Sequence, residues 1–272
     1  EEEHRALAGL APAGGFGELR GVGWFRMLGM RAFGLLGIVV GALACGASGA
    51  ESPDGSFVRD GSLPEDVSAT DTSLPIDDVA RVLALTANCA NRLGGDYKAK
   101  IEASWPANIP ICGLKGAVFW NADMDIDCDG LETKTCNLVT DPAFQSQTSA
   151  TDSMGKFLDA SIVPYVVIPL PSTRWDSNKA GIELGQVVLV IYQGKMAFGV
   201  FADEGPPSII GEASVAMAKL LGVDPDPKTG GVDKGVTYVV FTGASGVVTK
   251  NEDHAEANKI GAARVAELLK NN

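Results

Sequence analysis

The stretch Gln186-Val-Val-Leu-Val-Ile-Tyr192, turned by Gln193-Gly194 and continued by Met196-Ala-Phe-Gly-Val-Phe-Ala202, decides the fold prediction. Two apolar runs of strand length flank a short turn that contains glycine, which is the pattern of a β-hairpin. Three more strand-like runs are Ala117–Trp120, Ser161–Leu170 and Val236–Phe241. The prolines in Ser161–Leu170 limit how this run can pair with other strands.

Helical patterns are fewer than strand patterns. We predict helices at Asp77–Leu85, at Gly211–Leu221 with Gly222 closing it, and at Glu252–Lys270. No internal repeat is visible. The sequence therefore predicts an α+β fold over residues 76–271, in a single domain. Its β-rich core would be a mixed, barrel-like sheet with a few flanking helices.

Composition excludes several classes of function. The chain has 272 residues, a formal net charge of -12 and only two histidines. An acidic protein of this kind does not suit nucleic acid, whose phosphates need a basic face. No glycine-rich dinucleotide motif and no phosphate-loop lysine motif is present, so we expect no nucleotide and no cofactor. The charge does suit a cationic partner.

The first 75 residues indicate export. Residues 27–50 combine Arg31 with an uncharged apolar run and small residues, as in a signal peptide. We expect residues 1–26, which precede it, to be an upstream or mis-annotated segment. Ala42-Leu-Ala-Cys45 is an imperfect lipobox, so lipidation of Cys45 is an alternative to plain cleavage. Residues 51–75 have linker composition. We expect a secreted or cell-surface protein, with a lipid anchor at Cys45 as its only link to a membrane.

The cysteines agree with export. Without Cys45, four remain, an even number that suits two disulfides and allows three pairings. We favour the pairs nearest in sequence, Cys89–Cys112 and Cys128–Cys136. A zinc site is the rival interpretation, but it lacks a CxxC spacing and nearby histidines.

Carboxylates are the candidates for catalysis. A triad based on histidine would have to use His254, whose acidic neighbours indicate a solvated helix face. In Phe198–Ser214, by contrast, an apolar strand ends at Asp203 and a Gly-Pro-Pro turn leads to Glu212. Two carboxylates at the ends of one tight connection suit the acid and base of a glycosidase, although such pairs are also common on solvated loops.

A second acidic group follows the strand at Ala117–Trp120. Asp123, Asp125, Asp127 and Asp129 alternate along the chain before Gly130, like the opening of a calcium loop, but Cys136 stands where an EF-hand needs glutamate. A looser calcium loop, an acidic surface turn and a cleft lining for a cationic ligand remain as alternatives. Trp120 could stack on a sugar, although core packing is the commoner role.

Five motifs in order resemble the chitosanases of glycoside hydrolase family 75. They cover most of residues 85–245. The motifs are Trp120–Gly130, Val163–Pro169, Phe201–Pro206, Ile210–Ser214 and Gly230–Tyr238.

The resemblance implies endo-hydrolysis of the β-1,4 bonds of chitosan, a polymer of glucosamine, with inversion at the anomeric carbon. The family's essential Asp and Glu fall on Asp203 and Glu212, with an interval on the family's short side. We expect Asp123, Asp125, Asp127, Asp129, Trp120 and Tyr165 to bind the substrate, and we expect no metal.

The acid and base roles stay open. A helix N-terminus would stabilise the Glu212 anion and favour it as base, while the charge of Glu204 would raise the pKa of Asp203. Two other functions are alternatives: a non-catalytic exported protein that binds cationic amino-sugar polymers, and a related exported glycosidase of another substrate.

Overall fold

A computed structural model of the protein describes residues 74–272. The predicted upstream segment, the signal peptide, Cys45 and nearly all of the linker lie outside the described residues. Within the described part of the chain, no helix is both long enough and apolar enough to cross a membrane.

Strands predominate over helices along residues 74–272. The elements in chain order are α1 (Ile76–Thr86), β1 (Arg92–Tyr97), β2 (Ile109–Leu114), β3 (Ala117–Asp127), β4 (Tyr165–Pro169), β5 (Val187–Tyr192), β6 (Lys195–Gly205), β7 (Glu212–Ser214), α2 (Val215–Leu221), β8 (Val232–Phe241) and α3 (His254–Asn271).

Six strands close into a barrel in the order β3, β7, β4, β6, β5, β8, with β8 returning to β3. The pairs β3–β7 and β4–β6 are parallel, and the other neighbours are antiparallel. The hairpin β1–β2 joins the first residues of β3. The predicted α+β fold with a mixed, barrel-like sheet is therefore confirmed.

Side chains that alternate along the strands form two separate cores. One set, with Trp120 stacked on Tyr238 at 5.3 Å between ring centroids, faces the inside of the closed sheet. The other faces outward and packs against α1 and α3. A Cβ atom at Gly261 of α3 would collide with the ring of Phe198, so a glycine is needed where helix and barrel meet.

The hairpin β5–β6 follows the prediction closely. Its ladder runs from Val187 opposite Val200 to Tyr192 opposite Lys195. The two turn residues have positive φ angles, +47° at Gln193 and +77° at Gly194, as a tight hairpin turn requires.

Other elements differ from the prediction in their limits. β3 continues past the apolar run at Ala117–Trp120 through the acidic residues to Asp127. The predicted helix at Gly211–Leu221 is wrong in its first residues, because Glu212–Ser214 form β7 and the helix begins only at Val215. The strands β1 and β2 were not predicted at all, since Gly94, Gly95 and Pro110 interrupt their patterns.

The helix positions and the favoured disulfides are confirmed. Helices α1 and α3 form where the sequence predicts them, and α2 ends at Gly222, which has a left-handed conformation. Both favoured disulfides, Cys89–Cys112 and Cys128–Cys136, are present.

Candidate active site

Four residues form a row across four neighbouring strands of the barrel wall. Asp125 of β3 pairs with Glu212 of β7, Glu212 with Val167 of β4, and Val167 with Asp203 of β6. Residues paired across strands point to the same face of a sheet. The Cα atoms of Glu212 and Asp203, two strands apart, are therefore roughly 10 Å from each other.

A β-bulge places Asp203 in this row. Val166 pairs with Phe201, yet the next residue of β4, Val167, pairs with Asp203, so β6 carries one extra residue, Ala202. Simple alternation would put Asp203 on the same face as Phe201, inside the barrel. The bulge turns the carboxylate to the outer face, beside Val167.

Glu212 lies on a very short strand between two others. β7 has three residues, and its last, Ser214, caps α2 by accepting a hydrogen bond from the Met217 N–H at 3.2 Å. Ser214 also accepts from the Tyr165 N–H and donates to the Val163 carbonyl. Glu212 is thus fixed by strand pairing on both sides and stands outside the helix that the sequence predicted to begin there.

A glycine makes room for the Glu212 carboxylate. A Cβ atom at Gly205 would lie 2.9 Å from Glu212 Oε2 and 3.0 Å from Val167 Cγ1. The Glu-Gly-Pro sequence after Asp203 therefore allows the end of β6 to approach the carboxylate, besides forming a turn.

Asp203 is buried and receives three hydrogen bonds on one oxygen. Its Oδ1 accepts from the Ser149 N–H at 2.8 Å, the Ser149 hydroxyl at 2.9 Å and the Glu204 N–H at 2.9 Å. These donors stabilise the ionised form, but burial outweighs them and raises the pKa of Asp203. Sequence reasoning missed Ser149, which lies in a long connection with no recognisable motif.

Glu212 has a different environment. No residue of the described chain donates a hydrogen bond to its side chain within 3.5 Å. Burial raises the pKa of Glu212 to about 7, and the negative charges of Asp125, Asp129 and Asp203 act in the same direction. A substantial fraction of Glu212 is therefore protonated near neutral pH.

Asp127, Asp129 and Tyr165 form a cluster next to Asp203. The Tyr165 hydroxyl lies 3.1 Å from Asp127 Oδ1 and 3.0 Å from the Asp129 carbonyl oxygen, and the Asp129 N–H donates to Asp127 at 2.6 Å. Burial raises the pKa of Asp127 well above its usual value, and the pKa of Asp129 to about 6. One oxygen from each of Asp127, Asp129 and Asp203 lies within 4.8 Å of the other two.

Two predicted substrate-binding residues do not face the cleft. Trp120 is 1% exposed and stacks on Tyr238 inside the barrel, so it offers no ring face to a sugar. Asp123 is also 1% exposed, covered by Gly211, whose own Cβ atom, if present, would collide with Asp123 Oδ1. Tyr165 is buried too and reaches the site only through its hydroxyl. Trp120 is buried because side chains alternate along β3, and Trp120 is on the face that belongs to the interior core.

A cleft of about 730 Å³ lies over the row. Asp125, Asp127 and Asp129 line it, together with Asp203 and Glu212. Distant connections bring further charged residues into its lining, and no local pattern identifies them. These residues are Lys100, Glu102, Asp141 and Lys228, and Glu204 joins them beside Asp203.

Comparison with known proteins connects this cleft to a family of enzymes. Residues 124–270 match the family described as fungal chitosanase of glycosyl hydrolase group 75. The chain belongs to this family. The match begins at Met124 and includes the whole row from Asp125 to Asp203, so the three carboxylates of the row lie within the part that relates the protein to glycoside hydrolases.

Fungal relatives give the same result. The chain is 33% identical to Endo-chitosanase B of Aspergillus oryzae over 182 residues, which are 58% of this chain and 76% of that protein. It is 30% identical to Endo-chitosanase C of the same species over 216 residues, 75% of this chain and 53% of that protein. An Endo-chitosanase of Aspergillus fumigatus is 31% identical over 131 residues. This member of the family is thus a glycoside hydrolase. The part of the chain that aligns with each relative covers about three quarters of Endo-chitosanase B and about half of Endo-chitosanase C.

Proposed function

We propose that the protein is an exported endo-chitosanase that hydrolyses β-1,4 bonds between glucosamine units with inversion at the anomeric carbon. Glu212 acts as the general acid and Asp203 as the general base. The observation that carries this proposal is the row in which these two carboxylates stand on one face, separated by Val167.

The separation of the pair supports inversion. An inverting enzyme holds its two carboxyl groups about 6.5–9.5 Å apart, so that a water molecule fits between the base and the sugar, whereas a retaining enzyme needs about 5 Å. Two strand spacings between Glu212 and Asp203 give roughly 10 Å between Cα atoms. Side chains that lean toward each other from this distance reach the inverting range.

Glu212 suits the acid because burial and three neighbouring aspartates hold its proton. An acid with a pKa of about 7 remains protonated at mildly acidic pH and can give its proton to the leaving sugar oxygen. This reverses the role that a helix N-terminus would favour, since Glu212 lies on β7 and the helix begins three residues later.

Asp203 suits the base because three hydrogen bonds stabilise its anion and partly offset the effect of burial, which raises its pKa. Three hydrogen bonds from Ser149 and the Glu204 backbone fix Oδ1, which leaves Oδ2 to accept a proton from the attacking water. Fixed donors of this kind orient a base as well as keeping it ionised.

The charge of the cleft supports chitosan as the substrate. Chitosan carries one ammonium group per sugar when it is protonated, and the cleft lining contains Asp125, Asp127, Asp129 and Asp141 beside the catalytic pair. Complementary charge attracts such a polymer and disfavours neutral ones. The relatives named endo-chitosanases agree with this substrate.

Two disulfides support an oxidising, extracellular location. A signal peptide at residues 27–50 would direct export, followed by cleavage or by lipidation of Cys45. Residues 51–75 would then act as a spacer before the catalytic domain at 76–271.

Product analysis tests the proposal. The purified protein should shorten chitosan to oligosaccharides with new reducing ends in the α configuration, and should leave cellulose intact. Partially acetylated chitosan then defines the sugars accepted on either side of the cleaved bond. Binding of chitosan without products would favour a non-catalytic binding protein, β products would contradict inversion, and cleavage of cellulose alone would contradict the substrate.

A further inference from the structure

Lys100 places its ammonium group in a small site made of acidic and aromatic groups. Its Nζ lies 3.5 Å from Asp125 Oδ1, 3.2 Å from Asp233 Oδ1 and 5.3 Å from the centroid of the Trp105 ring. Carboxylates and an aromatic face are the groups that proteins use to recognise ammonium ions. We call Asp125, Asp233 and Trp105 the ammonium site.

The ammonium site adjoins the catalytic acid. Asp125 is the register partner of Glu212, one strand spacing away on the same face. Asp233 comes from β8, which has three residues between Val232 and Val236 where β3 has only Asp123 between Met124 and Ala122, so that the extra residues of β8 stand out from the ladder. Lys100 and Trp105 belong to the connection between β1 and β2.

A second cavity begins at the same place. It has about 350 Å³ and is lined by Trp105, Asp123 and Asp233, while Lys100 and Asp125 line the main cleft. The ammonium site therefore lies where the two cavities meet. Asp123 lines the second cavity and is 1% exposed, and neither of its carboxylate oxygens has a hydrogen-bond partner in the described chain.

We propose that the ammonium site receives an amino group of the bound sugar chain, and that Lys100 occupies this site in the free protein and leaves when substrate binds. This inference rests on the proposed function, because glucosamine carries the same ammonium group as lysine. Lys100 is 30% exposed and its partners are 36% and 73% exposed. Such ion pairs contribute little to stability, so a substrate ammonium can replace Lys100 at small cost.

The displacement makes the protein selective for free amino groups. An N-acetylated sugar has no charge at this position and cannot replace the lysine in its contacts with Asp125 and Asp233. Lys100 thus acts as an internal competitor that an amine removes and an amide does not. It is a specificity-determining residue and takes no part in bond cleavage.

Binding measurements in an inactive background test this role. In E212Q, we expect Lys100→Met to bind a glucosamine oligosaccharide roughly fivefold more tightly by calorimetry, with no change for the matching N-acetylglucosamine oligosaccharide. Asp233→Asn should weaken binding of the glucosamine oligosaccharide, and added to Lys100→Met it should remove the gain. Lys156→Met is the matched control, since Lys156 is exposed, lines neither cavity and forms no ion pair within the described residues.

Three outcomes would overturn the inference. They are equal tightening for both oligosaccharides, an equal gain in the Lys156→Met control, and weaker or unchanged binding of the glucosamine oligosaccharide in Lys100→Met. Failure of the proposed function is distinguishable, because it would appear as absent chitosan hydrolysis by the unmodified protein, whereas these measurements need no turnover.

Discussion

Two walls of the same barrel have different roles. The wall made by β5, the first part of β6 and the end of β8 is apolar on both faces, with Leu189 and Val239 turned to the helices and Val190 and Tyr238 turned inward. The wall made by β3, β7, β4 and the end of β6 is apolar inward but acidic outward, where Asp125, Glu212 and Asp203 line the cleft. In one closed sheet, the apolar wall thus contributes stability, and the outer face of the acidic wall carries the groups of the cleft.

The buried carboxyl groups of the acidic wall lower the stability of the fold, whereas the apolar wall has no such groups. Burial raises the pKa values of Asp127 and Glu212, and the negative charges of neighbouring carboxylates raise them further, so that keeping these groups ionised costs stability. The apolar wall supplies compensating stability by burying its strands on both sides. Changes in the acidic wall should therefore alter activity far more than stability, and changes in the apolar wall should alter stability far more than activity.

The largest expected effect is on activity in the acidic wall. Asp203→Asn and Glu212→Gln should each lower chitosan hydrolysis about a thousandfold or more, because each removes one half of the acid and base pair. Reducing-end assays measure the loss, and denaturant unfolding should show a stability close to that of the unmodified protein.

A second substrate distinguishes the two roles. An aryl glycoside of a glucosamine oligosaccharide has a leaving group that needs little protonation. The acid variant Glu212→Gln should recover much of its rate on it, while the base variant Asp203→Asn should not. Recovery by Asp203→Asn alone would exchange the roles.

The next effect is on stability at the outer face of β6. Phe198→Ala removes a fully buried ring that packs against Gly261 of α3 and should lower the free energy of unfolding by about 3–5 kcal/mol. Urea unfolding measures it, with Leu220→Ala as a control because Leu220 is half-exposed. Should Phe198→Ala leave stability unchanged and reduce activity at full folding, the division between the walls would be wrong.

The smallest expected effect is a shift in pH dependence. Glu212 must be protonated to act as acid, so the rate should fall as pH rises through about 7, the pKa of that group. The charge of Asp125 contributes to this high pKa, so Asp125→Asn should lower it and move the falling limb of kcat/KM to lower pH. A limb that stays in place or moves upward would mean that another group supplies the proton.

Much of the fold could be predicted from local patterns. The β5–β6 hairpin, the cysteine pairs and the helices α1 and α3 are specified by neighbouring residues, and the structure agrees with each. The strands β1 and β2 could not be predicted, because tertiary pairing overrides the glycines and proline within them.

The site was predictable in part for the same reason. The Asp203 and Glu212 pair is identifiable from its motif, and the alternation of Asp125 and Asp127 places both on one face. Their relation to Ser149, Lys100 and Asp233 depends on bulges and on long connections, which no local pattern specifies. Trp120 differs from these residues. Its ring lies next to acidic residues in the sequence, which suggested stacking on a sugar, but the alternation of side chains along β3 buries it in the barrel.

The three-residue strand β7 has a consequence for how the protein acquires activity. Because Glu212 reaches its place only when β7 is inserted between β3 and β4, the proposed acid and base are aligned by the same pairing that closes the barrel. Such non-local pairing is slow relative to the formation of helices and hairpins. Recovery of hydrolysis during refolding should therefore follow barrel closure and lag behind the return of secondary structure. The rate of hydrolysis would then report the last step of folding.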